Sequence, residues 1–169
     1  MPTVTRYATG QVTGGNASFT NPGNVSADDG AEATFVTSRR VDHTTRWGGF
    51  DFDSIVPEGA TIDQITYTME ARESAAQSMT GGIRRSLNGV LGTETTNTNL
   101  PTTATVVQRT DNPSGVTRDQ ILDANNFAVQ TRFNRDGSNN ANALIDYIRV
   151  TVVYSEAGAG PTNKMAMVV

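Results

Sequence analysis

The chain of 169 residues contains no cysteine, a single lysine at Lys164 and a single histidine at His43. Without cysteine it cannot form disulfides, bind a metal through thiolates or use a thiol nucleophile. Its 13 Lys and Arg residues are outnumbered by 17 Asp and Glu residues, and the net charge of -4 argues against binding to a nucleic-acid backbone. We therefore expect packing and assembly, rather than covalent cross-links, to stabilise the protein.

Long apolar segments are also missing. No window approaches the ~20 apolar residues that a membrane-spanning helix needs. The N-terminal stretch Met1 to Tyr7 lacks the apolar core of a secretory signal. We expect a protein that stays in solution and has no membrane partner.

Alternation of apolar and polar residues is the main structural signal. Gln64 to Arg72 alternates strictly, and Phe127 to Phe133 repeats the pattern, as expected for strands with one buried face. Leu144 to Tyr154 is partly apolar on its second face too, which indicates a strand buried on both sides, at the centre of a sheet or under an assembly contact. Weaker candidates bring the prediction to about eight short strands separated by turns.

Turn and helix signals complete the fold prediction. Asn88-Gly89 is typical of a tight hairpin, and Thr117 with Gln120 fits a capping box at the start of a helix. The sequence therefore predicts an all-β protein, an antiparallel β-sandwich of jelly-roll type with one short helical turn near 117–124. We expect an N-terminal arm or edge strand at 1–9, the sandwich at 10–155 and an extended C-terminal tail at 156–169.

His43 is the first candidate for chemistry. Asp42 precedes it, so a Ser-His-Asp triad is formally available, but no Gly-x-Ser-x-Gly motif accompanies it. A lone histidine in a polar segment is more often structural. We expect no catalytic residue and no enzyme activity.

Four aspartates could supply the oxygen ligands that calcium prefers. Two of them alternate with Phe50 and Phe52, which is typical of a strand with its carboxylates in water, and the other two read as a turn. We predict no metal site and no cofactor, with calcium as the open alternative. The four are Asp28, Asp29, Asp51 and Asp53.

Aromatic residues cluster between Trp47 and Phe52, and Tyr67 follows. Such side chains supply the largest burial term in a core, so a core position is the main expectation. An exposed platform that stacks on a sugar is the alternative.

The C-terminal tail ends in an apolar tip, after a Gly, Ala and Pro-rich hinge. Burying the tip would contribute roughly 6 to 10 kcal/mol, and ordering its backbone would cost roughly 6 to 12 kcal/mol. Because the balance is near zero, the tail needs strand pairing on a neighbour, or several tails acting together. The apolar residues of the tip are Met165, Met167, Val168 and Val169.

Several stretches, read in order, resemble the β-sandwich modules of tailed-bacteriophage virion proteins. The resemblance spans roughly residues 16 to 155. The stretches that carry it are Asn21 to Thr34, Phe50 to Phe52, Val56 to Ile65, Asn126 to Val129 and Ile145 to Tyr154.

The resemblance implies a structural role in a phage particle, most like a capsid decoration or cement protein. Its partners would be the major capsid protein and copies of itself in a homotrimer, and it would be made in the host cytoplasm and lie on the outer surface of the head. The alternative is a tail, collar or fibre module that binds host glycan. The expected assembly contacts are Val4, Arg6, Tyr7, Met165, Met167, Val168 and Val169.

Deleting residues 158–169 tests the predicted role of the tail. We expect the truncated protein to occupy fewer sites on phage heads and to protect the heads less against heat, because the apolar tip is lost. Occupancy on purified particles and the temperature of genome release measure both effects. Undiminished occupancy would refute a role of the tail in assembly.

Overall fold

The computed structural model describes residues 1–156 except residues 96, 114 and 125. The predicted tail contacts Met165, Met167, Val168 and Val169 lie outside the described residues. Within the described part, eleven strands form two sheets, and there is one short α-helix. The elements are β1 (Thr3–Tyr7), β2 (Gly10–Gly15), a 3-10 turn (Pro22–Val25), β3 (Ala33–Val36), β4 (His43–Gly48), β5 (Thr61–Glu73), β6 (Met79–Leu87), β7 (Val90–Leu91), β8 (Thr98–Leu100), β9 (Thr105–Asp111), α1 (Arg118–Leu122), β10 (Phe127–Arg135) and β11 (Asn142–Ser155).

The first sheet, sheet A, is built on the long antiparallel pair β5 and β11, of 13 and 14 residues. Its strand order is β1-β11-β5-β9, and β3 pairs with β11 beyond β1. Strand β11 therefore pairs with other strands along both of its edges, which is the predicted position at the centre of a sheet.

The second sheet, sheet B, has the order β2-β4-β10-β6-β7, and β8 also pairs with β6. All named strand pairs in both sheets are antiparallel. The two sheets pack face to face as an antiparallel β-sandwich of jelly-roll type, which confirms the predicted fold class.

The core lies between the sheets and is rich in aromatic side chains. Trp47 is fully buried, and its indole Nε1 donates to the Thr131 hydroxyl oxygen at 2.9 Å. The ring of Phe19 meets the indole edge-on at 5.1 Å between centroids. Phe50 and Phe52 are also buried, so the expectation that this aromatic segment belongs to the core is confirmed.

Alternation in the sequence located the buried faces of the long strands correctly. Val129 and Phe133 in β10 and Tyr67 in β5 point inward as predicted and are fully buried. The short strands β2, β7 and β8 were not predicted, because two or three residues, or a glycine-rich segment such as β2, carry little alternation.

Local turn chemistry is also confirmed. The Thr117 side chain accepts from the backbone N–H of Gln120, and the Gln120 side chain accepts from the backbone N–H of Thr117, which completes the capping box of α1. Asn88 and Gly89 both have positive φ, of 51° and 79°, as a two-residue hairpin turn between β6 and β7 requires. No helix in the described ranges is long and apolar enough to cross a membrane.

Gly15 marks the point where the pairing of β2 with β4 shifts register. Its φ of +97° disfavours any side chain, and an added Cβ would lie 2.3 Å from the Thr44 carbonyl oxygen. Gly89 has a comparable φ of +79° but nothing within 4 Å of the same position.

Replacing Gly15 with Ala therefore combines backbone strain with a clash. We expect Gly15→Ala to lower the free energy of unfolding by about 3 kcal/mol. The matched variant Gly89→Ala carries the strain alone and should cost about 1 kcal/mol. Chemical denaturation measures both, and equal losses would show that the approach to Thr44 does not constrain β2.

Candidate functional site

The open edge of the sandwich forms a polar cleft between the β6–β7 hairpin of sheet B and the end of β9 in sheet A. Its volume is about 510 Å³, within the range of small-molecule sites. We call it the edge cleft. It is lined by Arg85, Leu91, Gly92, Thr93, Arg109, Thr110, Asp111, Asn112 and Pro113.

Strand alternation places Arg85 on the inner side of this edge. In the β6–β10 pairing Arg85 lies opposite Val129, which is fully buried, so both side chains point between the sheets. The preceding residue Arg84 points outward, where its Nε donates to Gln130 Oε1 at 2.7 Å and its Nη1 pairs with Glu94 at 3.4 Å.

The two arginines therefore differ in their partners. Nε and Nη1 of Arg85 are buried and have no hydrogen-bond partner among the residues that the structure describes. In the described ranges no carboxylate forms an ion pair with Arg85, because the nearby Asp111 pairs with Arg109 at 2.8 Å. The cleft thus contains one positive charge without a compensating negative charge.

Tyr67 lies behind the cleft, with Arg85 and Asp111 as its charged neighbours. The side chain is fully buried, and its hydroxyl lies close to both of these side chains without a hydrogen bond of normal geometry in the described ranges. Burial raises the pKa of Tyr67, the charge of Asp111 raises it further, and Arg85 lowers it in part. The hydroxyl therefore stays protonated at neutral pH and can donate a hydrogen bond.

A buried donor without an acceptor costs about 1–3 kcal/mol. The edge cleft therefore holds a polar site that a suitable ligand would stabilise. The alternation of β6 could have predicted that Arg85 points inward. Its lack of an ion-pair partner could not be predicted, because that depends on contacts between the two sheets.

A group of carboxylates lies elsewhere, on the outer face of sheet A. The carboxylate oxygens of Asp28, Glu70 and Asp146 lie within 4.8 Å of one another. Asp146 occupies a bulge in β11 and accepts from the Gly30 backbone N–H at 2.9 Å. Oxygen donors this close could hold a hard cation such as calcium.

Burial is the main reason that the pKa values of Glu70 and Asp146 are raised, and the charge of Asp28 raises both further. The two carboxylates therefore ionise less readily in the folded chain than in the unfolded one.

The four aspartates considered from the sequence do not come together. Asp29 accepts from the Ala31 backbone N–H within a turn, and Asp53 pairs with Arg118 at 3.2 Å. Of these four, only Asp28 belongs to the cluster with Glu70 and Asp146. Glu70 and Asp146 were not predicted, because a strand bulge and a distant loop bring them together.

His43 has a structural role in its surroundings. It is 8% exposed, and its Nε2 accepts from the Ser38 backbone N–H at 2.8 Å. Burial lowers the pKa of His43, which keeps the ring neutral and able to accept this bond. The ring lies 4.8 Å from that of Phe35.

The described assembly candidates lie on β1, at the edge of sheet A. Val4 is buried in the core, the Arg6 Nε donates to the Asp51 carbonyl oxygen at 2.7 Å, and Tyr7 meets Tyr147 edge-on at 5.9 Å. Arg6 and Tyr7 remain partly exposed. Contact of β1 with another subunit stays a prediction, as does the division of the chain at residues 9 and 155.

Comparisons with known proteins concern architecture alone. Neither a protein-family model nor a curated protein matches the sequence. Among solved structures, the chain is similar to a family 4 carbohydrate-binding module, at 12% identity and a TM-score of 0.46 over 89% of this chain and 94% of that one. It is also similar to the C-terminal family 6 module of a marine laminarinase from Zobellia galactanivorans, at 13% identity and a TM-score of 0.45 over 89% of this chain and 99% of that one. A family 6 module of Cellvibrio mixtus lichenase 5A, solved with cellotriose, matches at 13% identity and a TM-score of 0.43 over 87% of this chain and 95% of that one.

The raised pKa values in the cluster of Asp28, Glu70 and Asp146 predict that stability depends on pH. Because the pKa values of Glu70 and Asp146 are raised in the folded chain, the unfolded chain ionises first as the pH rises from about 4. Stability from these groups is therefore present at low pH and lost as the pH passes through their raised pKa values. Glu70→Gln should remove part of this loss and raise the melting temperature at pH 7 more than at pH 4.

Thermal unfolding in the presence of a chelator, at several pH values, measures this difference without a contribution from divalent ions. Glu58→Gln is the matched control, since Glu58 is exposed in a loop. A Glu70→Gln shift that is the same at pH 4 and pH 7 would contradict the assignment.

Proposed function

We propose that the chain is a non-catalytic binding module that holds a glycan in the edge cleft. The observation that carries the proposal is Arg85, which lines a cleft of about 510 Å³ and whose Nε and Nη1 have no hydrogen-bond partner among the described residues. A ligand that accepts hydrogen bonds from this guanidinium removes the cost of burying its N–H groups unpaired.

The lining of the cleft favours a ligand rich in hydroxyl groups. A sugar hydroxyl both donates and accepts, and Thr93 and Asn112 offer both kinds of group within one cleft. Apolar contact comes from Leu91 and Pro113 at its margin. Hydrogen bonding, rather than apolar burial, would therefore supply most of the affinity.

The aromatic form of the glycan hypothesis is wrong. It required an exposed Trp47, whereas Trp47 is fully buried in the core and its Nε1 is bonded to Thr131. We therefore place the proposed sugar site at the sandwich edge.

The absence of enzyme activity is part of the proposal. His43 is the one histidine of the chain, and its Nε2 is held by the Ser38 backbone N–H. Asp51 and Asp53, the other candidates for chemistry, are exposed, and the carboxylate of Asp53 pairs with Arg118.

Removing polar groups from the cleft tests the proposal. Wild-type protein should bind members of a panel of soluble oligosaccharides in isothermal titration calorimetry. Thr93→Ala and Asn112→Ala should each weaken that binding about three- to tenfold, because each deletes a neutral hydrogen-bonding group. Both residues are exposed, so the melting temperature should not change.

Thr103→Ala is the matched control. Thr103 is an exposed threonine in the loop before β9, at the opposite end of that strand from Asp111. Absence of binding to every sugar of the panel, or equal losses in Thr93→Ala and Thr103→Ala, would reject the edge cleft as a glycan site.

A structural role in a phage particle is the second candidate, and the free edge of sheet A favours it. Strand β9 pairs only with β5 among the described residues, and Val106 on β9 is 49% exposed. An unpaired strand edge is a template for pairing with another chain. On this proposal the partners are the major capsid protein and copies of the chain, as a decoration subunit on the outer head surface.

A further inference from the structure

We infer that the ligand of the edge cleft carries a singly charged oxyanion, such as the carboxylate of a uronic acid, and that Arg85 binds this group. The inference rests on the proposed glycan-binding function and names the class of glycan.

The charges around the cleft lead to this assignment. Arg109 and Asp111 neutralise each other at 2.8 Å, whereas Arg85 has no carboxylate partner in the part of the chain described above. An uncompensated charge that is partly removed from water is costly unless a counter-charge approaches it. One negative charge on the ligand would complete the balance.

The hydrogen-bonding groups agree with the charges. Arg85 offers N–H donors at the cleft, and the protonated Tyr67 hydroxyl lies behind it. An oxyanion accepts from the guanidinium, and guanidinium–carboxylate bonds are among the strongest hydrogen bonds in proteins. A neutral hydroxyl would satisfy one donor and leave the charge of Arg85 without a partner.

The neighbouring carboxylate limits the charge that the ligand can carry. Asp111 lines the same cleft and lies close enough to Tyr67 to raise its pKa. A doubly charged group such as a phosphate monoester would keep one negative charge unbalanced, since Arg85 supplies only one free positive charge and Arg109 is already paired with Asp111. The site therefore fits a carboxylate or a sulfate ester on a sugar.

The test compares oligosaccharides of equal length that are neutral, carry uronic acids or carry sulfate esters, by isothermal titration calorimetry with the full-length chain. We expect an acidic series to bind at least about tenfold more tightly than the neutral one, because a hydrogen bond to a charged group exceeds a neutral one. Arg85→Gln should remove this preference, with a loss of about 10- to 150-fold for the acidic ligand and at most about tenfold for the neutral one.

Two further variants separate binding from folding. Tyr67→Phe deletes only a hydroxyl behind Arg85 that makes no hydrogen bond of normal geometry among the described residues, so it should keep the melting temperature and weaken acidic ligands less than Arg85→Gln does. Arg84→Gln carries the same substitution on the opposite face of β6 and should keep the acidic preference. Thermal unfolding of each variant is measured beside the titrations.

The outcomes are distinct. A preference for uronic or sulfated sugars that Arg85→Gln abolishes supports the inference, and the two acidic series show which oxyanion is preferred. Equal binding of neutral and acidic sugars, with equal losses in Arg85→Gln, overturns the inference and leaves the glycan function standing. Absence of binding to every series overturns the proposed function and this inference together.

Discussion

The antiparallel pairing of β5 with β11 is the contact on which the rest of the molecule depends. These are the longest strands, and the inward side chains of their pairing, such as Tyr67 and Val150, form much of the sheet A side of the core. The remaining strands of sheet A attach to the two outer edges of this pair. The bulge at Asp146 also brings that carboxylate close to Glu70 and Asp28. One strand pairing therefore positions both the core and this cluster of three carboxylates.

Arg85 shows how an ordinary strand supplies a charged side chain to a cleft. Strand β6 alternates like its neighbours, but at the margin of the sandwich an inward position is only partly covered by the opposite sheet. A charged side chain at such a position lies between the core and water. Its charge is then partly desolvated, which costs stability and increases its attraction to an anionic ligand. Proteins commonly accept such costs at binding sites.

The fold was predictable from sequence because its main strands are long and strictly periodic. In β5 and β10 the alternation assigned Tyr67 and Phe133 to the core correctly, and the Thr117–Gln120 capping box located the helix. The candidate site was not predictable in the same way. Arg85 shares the cleft with Arg109 and Asp111, which lie on a strand of the other sheet, and no local pattern shows which strands will meet at an edge.

Strand β9 has two roles in this architecture. It supplies Arg109, Thr110 and Asp111 to the edge cleft, and its outer edge is free of pairing among the described residues. A chain that added itself to this edge would therefore border the cleft directly. Any effect of such pairing on ligand affinity would be matched by an equal effect of the ligand on pairing. Ligand uptake would then depend on the concentration of the protein itself.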